Sequence, residues 1–361
     1  MATPSAYETE NIRVLSLLTL DPARSGEALA HVERLDDAGR EALVTLSDSH
    51  HVVLRALHPL RVAAAHAGDS AIARWCDGKI ARENARIANA LAHLEKVTIA
   101  LEAAGCPTTV MKSLDHWPDI GNDLDLFTTA SEQTVSRVMT QTFNAHVEPR
   151  SWGDRLANKW NFAIPGLREA VEMHAKRLGQ TGEHIRMAQR FVSRRQQKSF
   201  GGCTFHVPAP EERIIVATLQ RMYRHFYFRV CDIVNTMTLV ESGVVDFAEL
   251  KKAADLGGIW KGVCSFLKIV SDYVEQYRGG RIPLPASVLN AAPFGGDKVY
   301  VRAKFIRVPI VPQGAELYTD QVLQASLRGD VPATFRLSLL PPLASAAAIS
   351  YKLTGSDKGI W

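Results

Sequence analysis

Asp123 and Asp125 stand two residues apart in the run Asn-Asp-Leu-Asp-Leu-Phe. On a β-strand, residues two apart point to the same side of the sheet. Two carboxylates side by side repel each other unless a cation lies between them, so a metal site is the first chemistry that this spacing suggests. A short way upstream is Lys112-Ser113, a cation next to a small residue. Downstream, Val171-Glu172-Met173-His174 alternates apolar and polar and offers a third carboxylate with a histidine two positions on.

Stepping outward, the elements that must position these residues fall into three stretches. Residues 1–105 read as helical: Ile12, Leu15, Leu18 and Leu20 mark an opening helix, residues 42–65 carry a second apolar period that Pro59 is expected to interrupt, and residues 70–104 read as one long helix. Gly105 and Pro107 end it. Between 106 and 208 the period changes. Strands are expected at 108–111, 123–128, 144–149, 159–164 and 168–175, with a helix starting at Ser131, and Pro208-Ala-Pro210 reads as a linker. From 209 to 361 the pattern is mainly helical, clearest over 211–277, and the Pro- and Gly-rich stretch 279–314 yields no pattern. The fold class is therefore α+β: a small mixed β-sheet core with helical regions on both sides.

Composition narrows the function classes. With 361 residues there is room for two or three domains, and 46% hydrophobic with 22% charged residues is ordinary for a soluble globular chain. A formal net charge of +4 is too small to indicate nucleic acid as a partner. Five cysteines without a Cys-x-x-Cys pair argue against a disulfide framework or a cysteine zinc site. Neither a signal peptide nor an apolar run long enough to span a bilayer is read, so the expectation is a cytoplasmic protein without a membrane partner. His50-His51 has no further ligand at a telling distance. Arg186, Arg190 and Arg194 share a helix face that would suit either phosphates or solvent, and residues 221–229 mix cations with aromatics.

Lys112-Ser113, the Asp-Leu-Asp-Leu pair, Val171-Glu172-Met173-His174 and a following segment with His225, Arg229 and Asp232-Ile233 together resemble the polymerase-beta superfamily of nucleotidyltransferases. The nearest resemblance is to the bacterial family with helical flanking regions, and it covers roughly residues 10–275. Two positions differ from that pattern: Ser113 stands where the family has Gly, and Asp119 where relatives carry Arg. The resemblance implies that Asp123, Asp125 and Glu172 are the catalytic carboxylates and hold Mg²⁺, two ions being expected. It also implies that Lys112, Ser113, His174, His225 and Arg229 contact an NTP, ATP among the candidates, and that Glu172 takes the proton of the acceptor. The implied reaction moves a nucleoside monophosphate from the NTP to an acceptor: a small molecule, a peptide, a protein or tRNA. The alternatives are a phosphotransferase on the same scaffold and a non-catalytic nucleotide-binding or interaction protein.

Overall fold

The computed structural model describes residues 6–354. Five helices come first: Ala6–Leu20 (α1), Ser25–Val32 (α2), Asp37–Ser49 (α3), Val53–Ala67 (α4) and Ser70–Ala103 (α5). The long α5 is capped by Asp69, whose carboxylate accepts from the Ala71 and Ile72 amides, and Gly105 follows it with φ +75°. The expected break at Pro59 is not there: Pro59 lies inside α4. The chain breaks instead at His50 and His51, the latter in the left-handed region at φ 52°. Both rings turn inward. The Nδ1 of His50 accepts the Val230 amide at 2.9 Å, and its Nε2 donates to the Lys304 carbonyl at 2.7 Å.

The central sheet has the strand order β1-β2-β5-β4-β3, formed by Thr108–Val110 (β1), Asp123–Thr128 (β2), His146–Val147 (β3), Lys159–Ala163 (β4) and Ala170–Ala175 (β5). Only β2 and β5 pair in parallel, with Asp125 opposite Glu172, and the other pairs are antiparallel, so the sheet is mixed. Glu132–Phe143 (α6), capped by Ser131, and Trp152–Ala157 (α7) lie in the connections. Arg186–Ser193 (α8) leads to the hairpin Gln196–Phe200 (β6) and Cys203–Val207 (β7), which shows no clear strand pattern in the sequence. The proline pair expected to form a linker is buried, and Pro210 opens the next helix.

The C-terminal part comprises Pro210–Thr218 (α9), Val230–Glu241 (α10), Phe247–Gly257 (α11), Trp260–Arg278 (α12), Ala286–Leu289 (α13), Ala315–Leu327 (α14), Val331–Ser338 (α15) and Leu340–Thr354 (α16). A helix was expected to carry His225 and Arg229 on one face. Instead α9 ends in a widened turn over Leu219–Arg224, Phe226 takes φ 53°, and Tyr227–Phe228 (β8) pairs with a hairpin of Tyr300–Arg302 (β9) and Phe305–Arg307 (β10). Three successive aromatics explain the break, because each has a different partner. Phe226 packs against Gly314, Tyr227 stacks on Phe305 at 4.3 Å, and Phe228 stacks on Phe266 at 5.4 Å. A helix would have turned them only 100° apart along one rod.

A continuous apolar core runs from Ile12 in α1 through Leu124, Leu126 and Val171 of the sheet to Phe266 in α12 and Leu317 in α14. The fold is thus α+β with helical flanks, and no described helix is long and apolar enough to cross a membrane. Asp119 is part of this framework. It is 1% exposed and accepts the amides of Leu54 and Arg55, at 2.6 and 3.3 Å, and the Arg55 Nε at 3.1 Å. The α4 N-cap residue, Val52, has no side-chain acceptor, so a carboxylate 65 positions from Leu54 caps the helix.

Asp119→Ala removes one partner of a buried pair together with a helix cap, and should lower the unfolding free energy by about 3–5 kcal/mol. Urea denaturation would measure it, and a loss below about 1 kcal/mol would contradict this role. Burial holds the His50 ring down to about 4, and burial together with nearby arginines holds His51 and His225 well below the ordinary histidine range. These rings are neutral when folded, whereas the unfolded chain protonates them near 6.5. Their stabilisation is therefore complete above about pH 6.5 and is lost as pH falls toward 4, at about 1.4 kcal/mol per pH unit for each ring. Urea midpoints at pH 7, 6 and 5 should fall more steeply than one proton accounts for, and a flat profile would refute the reading.

Candidate functional site

Strand alternation puts Asp123 and Asp125 on one side of β2, while Leu124 and Leu126 enter the core on the other. The two acids differ in depth. Asp125 is buried and Asp123 is exposed at the mouth of a cleft of about 250 Å³. The parallel register brings Glu172 beside Asp125, and His174 follows on the same side of β5. His174 Nε2 is 2.7 Å from Glu172 Oε1 and 3.6 Å from Asp125 Oδ1.

Two ammonium groups neutralise this buried acid pair. Lys112 Nζ contacts Asp125 Oδ1 and lies 3.9 Å from Glu172 Oε1. Lys159, on β4, is 2.7 Å from Glu172 Oε2 and 3.3 Å from Asp154 Oδ1. Burial alone would raise the Glu172 carboxyl, but Lys112, the His174 hydrogen bond and Lys159 hold it well below its ordinary range. Burial is the strongest single influence on the Lys159 ammonium and lowers it, but the charge and hydrogen bond of Glu172 together with Asp154 outweigh it, so the net shift is upward. The Asp123 carboxylate makes no hydrogen bond or salt bridge among the described residues. Loss of water in the cleft and then the charges of Asp125 and Glu172 push its carboxyl up to about 6, even though it opens toward solvent.

Asp125, Glu172 and His174 each present a ligand atom, all within 4.8 Å of one another. The buried Asp125 Oδ1 receives no well-aligned hydrogen bond and meets Lys112 as a bare ion pair. With Asp123 at the rim, the donors are mainly carboxylate oxygens, a set that fits a hard divalent cation such as Mg²⁺. The sequence grouped Asp123, Asp125 and Glu172; the compact buried group has His174 in it and Asp123 above it.

The loop before β2 is fixed by polar contacts. Lys112 has φ 53° and ψ −56°, and the Ser113 amide donates to the Met111 carbonyl, closing a three-residue γ-turn of a strained type. The Ser113 hydroxyl donates to the Asp123 carbonyl at 3.0 Å and accepts the Asp125 amide at 2.8 Å. It therefore ties the turn to β2 where a glycine would leave those groups unbridged. Asp115 pairs with Arg213 at 2.6 Å, so neither loop acid adds uncompensated charge to the cleft. Arg86 donates to the Ile120 carbonyl at 3.0 Å and pairs with Glu169, tying this loop to α5 and to the entry of β5.

The opposite wall is cationic. His225 and Arg229, expected from the sequence, line the cleft, although from a turn and a helix cap. Beside them are Arg221, Arg224, Tyr227, His51 and His116, and Lys159 joins from the sheet; the sequence reading assigned none of these to the site. Arg221 pairs with Asp232 at 2.7 Å, and the Arg229 guanidinium donates to His51 Nε2 at 2.6 Å. His51 stacks on His116, ring centres 5.0 Å apart. The Asn235 oxygen accepts from Arg55, so its amide nitrogen donates to His116 Nδ1 at 2.9 Å. Residues 221–229 had been noted for their mix of cations and aromatics, but Lys159 had no signal because only the register of β4 against β5 reveals it.

Of the Arg186, Arg190 and Arg194 stripe, only Arg186 is an exposed residue, and the other two are engaged in ion pairs. Arg190 pairs with Glu212 and Glu249 at 2.7 and 2.6 Å, and Arg194 pairs with Glu211 at 2.8 Å, joining α8 to α9 and α11. Arg186 lies away from this cleft, at a separate recess beside α15.

No protein-family model matches the chain, and no curated protein does. Among solved structures, the chain is similar to an antigenic nucleotidyltransferase-like protein from Paracoccidioides brasiliensis, with 13% identity, coverage of 56% of this chain and 97% of that one, and a TM-score of 0.33.

Proposed function

We propose that the cleft binds a nucleoside triphosphate with Mg²⁺ and transfers a nucleoside monophosphate to an acceptor hydroxyl. One observation carries this reading: Asp125 and Glu172, side by side through parallel strand pairing, with Asp123 above them, face a wall of Arg221, Arg224 and Arg229 across a single cleft. Carboxylates that can hold a divalent cation, opposed by guanidiniums that suit phosphate oxygens, form the charge pattern of phosphoryl and nucleotidyl transfer sites.

In this reaction the acceptor oxygen forms a bond to the α-phosphorus, the bond from that phosphorus to the bridging oxygen breaks, and pyrophosphate leaves. Bound Mg²⁺ would neutralise charge on the phosphate oxygens, held by Asp123, Asp125 and Glu172. Arg224 and Arg229 would orient the β- and γ-phosphates, and Lys112 would balance charge beside the α-phosphate. Tyr227, stacked on Phe305, gives that side a firm aromatic wall beside His225. Glu172 is a poor proton acceptor, because Lys159 and His174 engage its two oxygens. Asp123, whose carboxylate has no protein partner among the described residues, would take the acceptor's proton through the oxygen that does not hold the metal.

A second reading, nucleotide binding without turnover, is favoured by the two lysines that already neutralise the inner acids. Incubation with each NTP, Mg²⁺ and candidate acceptors, followed by mass spectrometry and a pyrophosphate assay, separates these cases. Nucleotidyl transfer adds a nucleoside monophosphate, phosphotransfer adds only phosphate, and a binding protein adds neither. Asp125→Asn should reduce turnover by about a hundredfold or more while the protein remains folded. Full turnover in that variant would sink the proposed mechanism.

A further inference from the structure

The position between the inner acids is already taken by a cation. Lys112 Nζ contacts Asp125 Oδ1 and lies 3.9 Å from Glu172 Oε1, while Lys159 meets the other oxygen of Glu172. A divalent cation that bridged the two carboxylates would meet the Lys112 ammonium in the same buried place, like charge against like, unless that ammonium withdrew. Lys159 is the anchored one, held by Asp154 as well as Glu172 and rooted in β4. Lys112 differs in both respects. Among the described residues its ammonium touches only Asp125 and Glu172, and its backbone holds the strained γ-turn at the end of β1. It also opens on the same cleft as Arg224 and Arg229, where an anionic ligand would approach.

We infer that Lys112 is a built-in counter-ion occupying the cation position between Asp125 and Glu172, and that a polyphosphate in the cleft draws it off. Divalent cation and polyphosphate then bind with positive cooperativity. This rests on the reading of the cleft as a metal and polyphosphate site. The physical basis is that a ligand shifts an equilibrium only by its differential affinity: the phosphates attract Lys112 in its withdrawn position, and the metal binds only to that arrangement. Without phosphate the lysine competes directly with the metal for the buried acids.

The test is calorimetric titration of Mn²⁺ into the full chain, for the wild type, Lys112→Met and Asp125→Asn, with and without inorganic tripolyphosphate. Lys112→Met should bind Mn²⁺ about tenfold or more tightly than the wild type when no polyphosphate is present. Tripolyphosphate should then strengthen Mn²⁺ binding more in the wild type than in Lys112→Met, a comparison in which direct chelation of the metal by tripolyphosphate cancels. Unchanged or weaker Mn²⁺ binding by Lys112→Met, with binding abolished in Asp125→Asn, overturns the counter-ion role and leaves the metal site standing. Wild-type Mn²⁺ affinity in Asp125→Asn overturns the metal reading and this inference with it. Lys112→Gln carries the same expectation and replaces the Met variant if thermal melts show that variant unfolded.

Discussion

The parallel pairing of β2 with β5 sets Asp125 directly beside Glu172, and the rest of the site follows from that juxtaposition. Two buried carboxylates at that spacing repel strongly in a medium poorer in water than bulk solvent. The protein answers with Lys112 from the end of β1, Lys159 from β4 and a hydrogen bond from His174. Each of those side chains arrives by a different strand, so the charge balance depends on the whole sheet being in register. A slip by one residue would turn Asp125 and Glu172 into the core and bring Leu124 and Val171 to the cleft.

Around this centre the polar groups form a connected framework. The Asp119 carboxylate caps α4 and holds Arg55; Arg55 orients Asn235; Asn235 fixes His116; and His51 receives Arg229 from the cap of α10. In this way the N-terminal helices and the C-terminal helices meet at the back of the cleft rather than merely flanking the sheet. His50 extends the same arrangement by binding the first amide of α10 and the turn between β9 and β10 with its two ring nitrogens. Such a network is costly to leave half-satisfied, and that ties the position of the cationic wall to the position of the sheet.

The cleft sets oxygen-rich acids, neutralised from below and open from above, against three arginines. Two loop residues serve the same framework. Ser113 is a bridge between the γ-turn and β2, and Asp119 caps α4.

The sequence by itself determined what periodicity and local chemistry can determine. The alternation around Asp123 and Glu172 marked β2 and β5, the three- and four-residue apolar steps marked α5, and Ser131 and Gly105 marked ends, because each signal lies within a few residues. It also brought out Lys112, Asp125, Glu172 and His174 as a set worth bringing together. Only the tertiary structure decided which of them meet. Lys159 stands opposite His174 in the strand register and reaches diagonally to Glu172, Asp123 and Asp125 differ in burial although their spacing is the same as expected, and residues 225–229 leave the helix because three aromatics find three distant partners. The break at His50 and the pairing of Arg190 and Arg194 with glutamates have the same origin: their partners lie far away in sequence, and no local pattern encodes a contact across that distance.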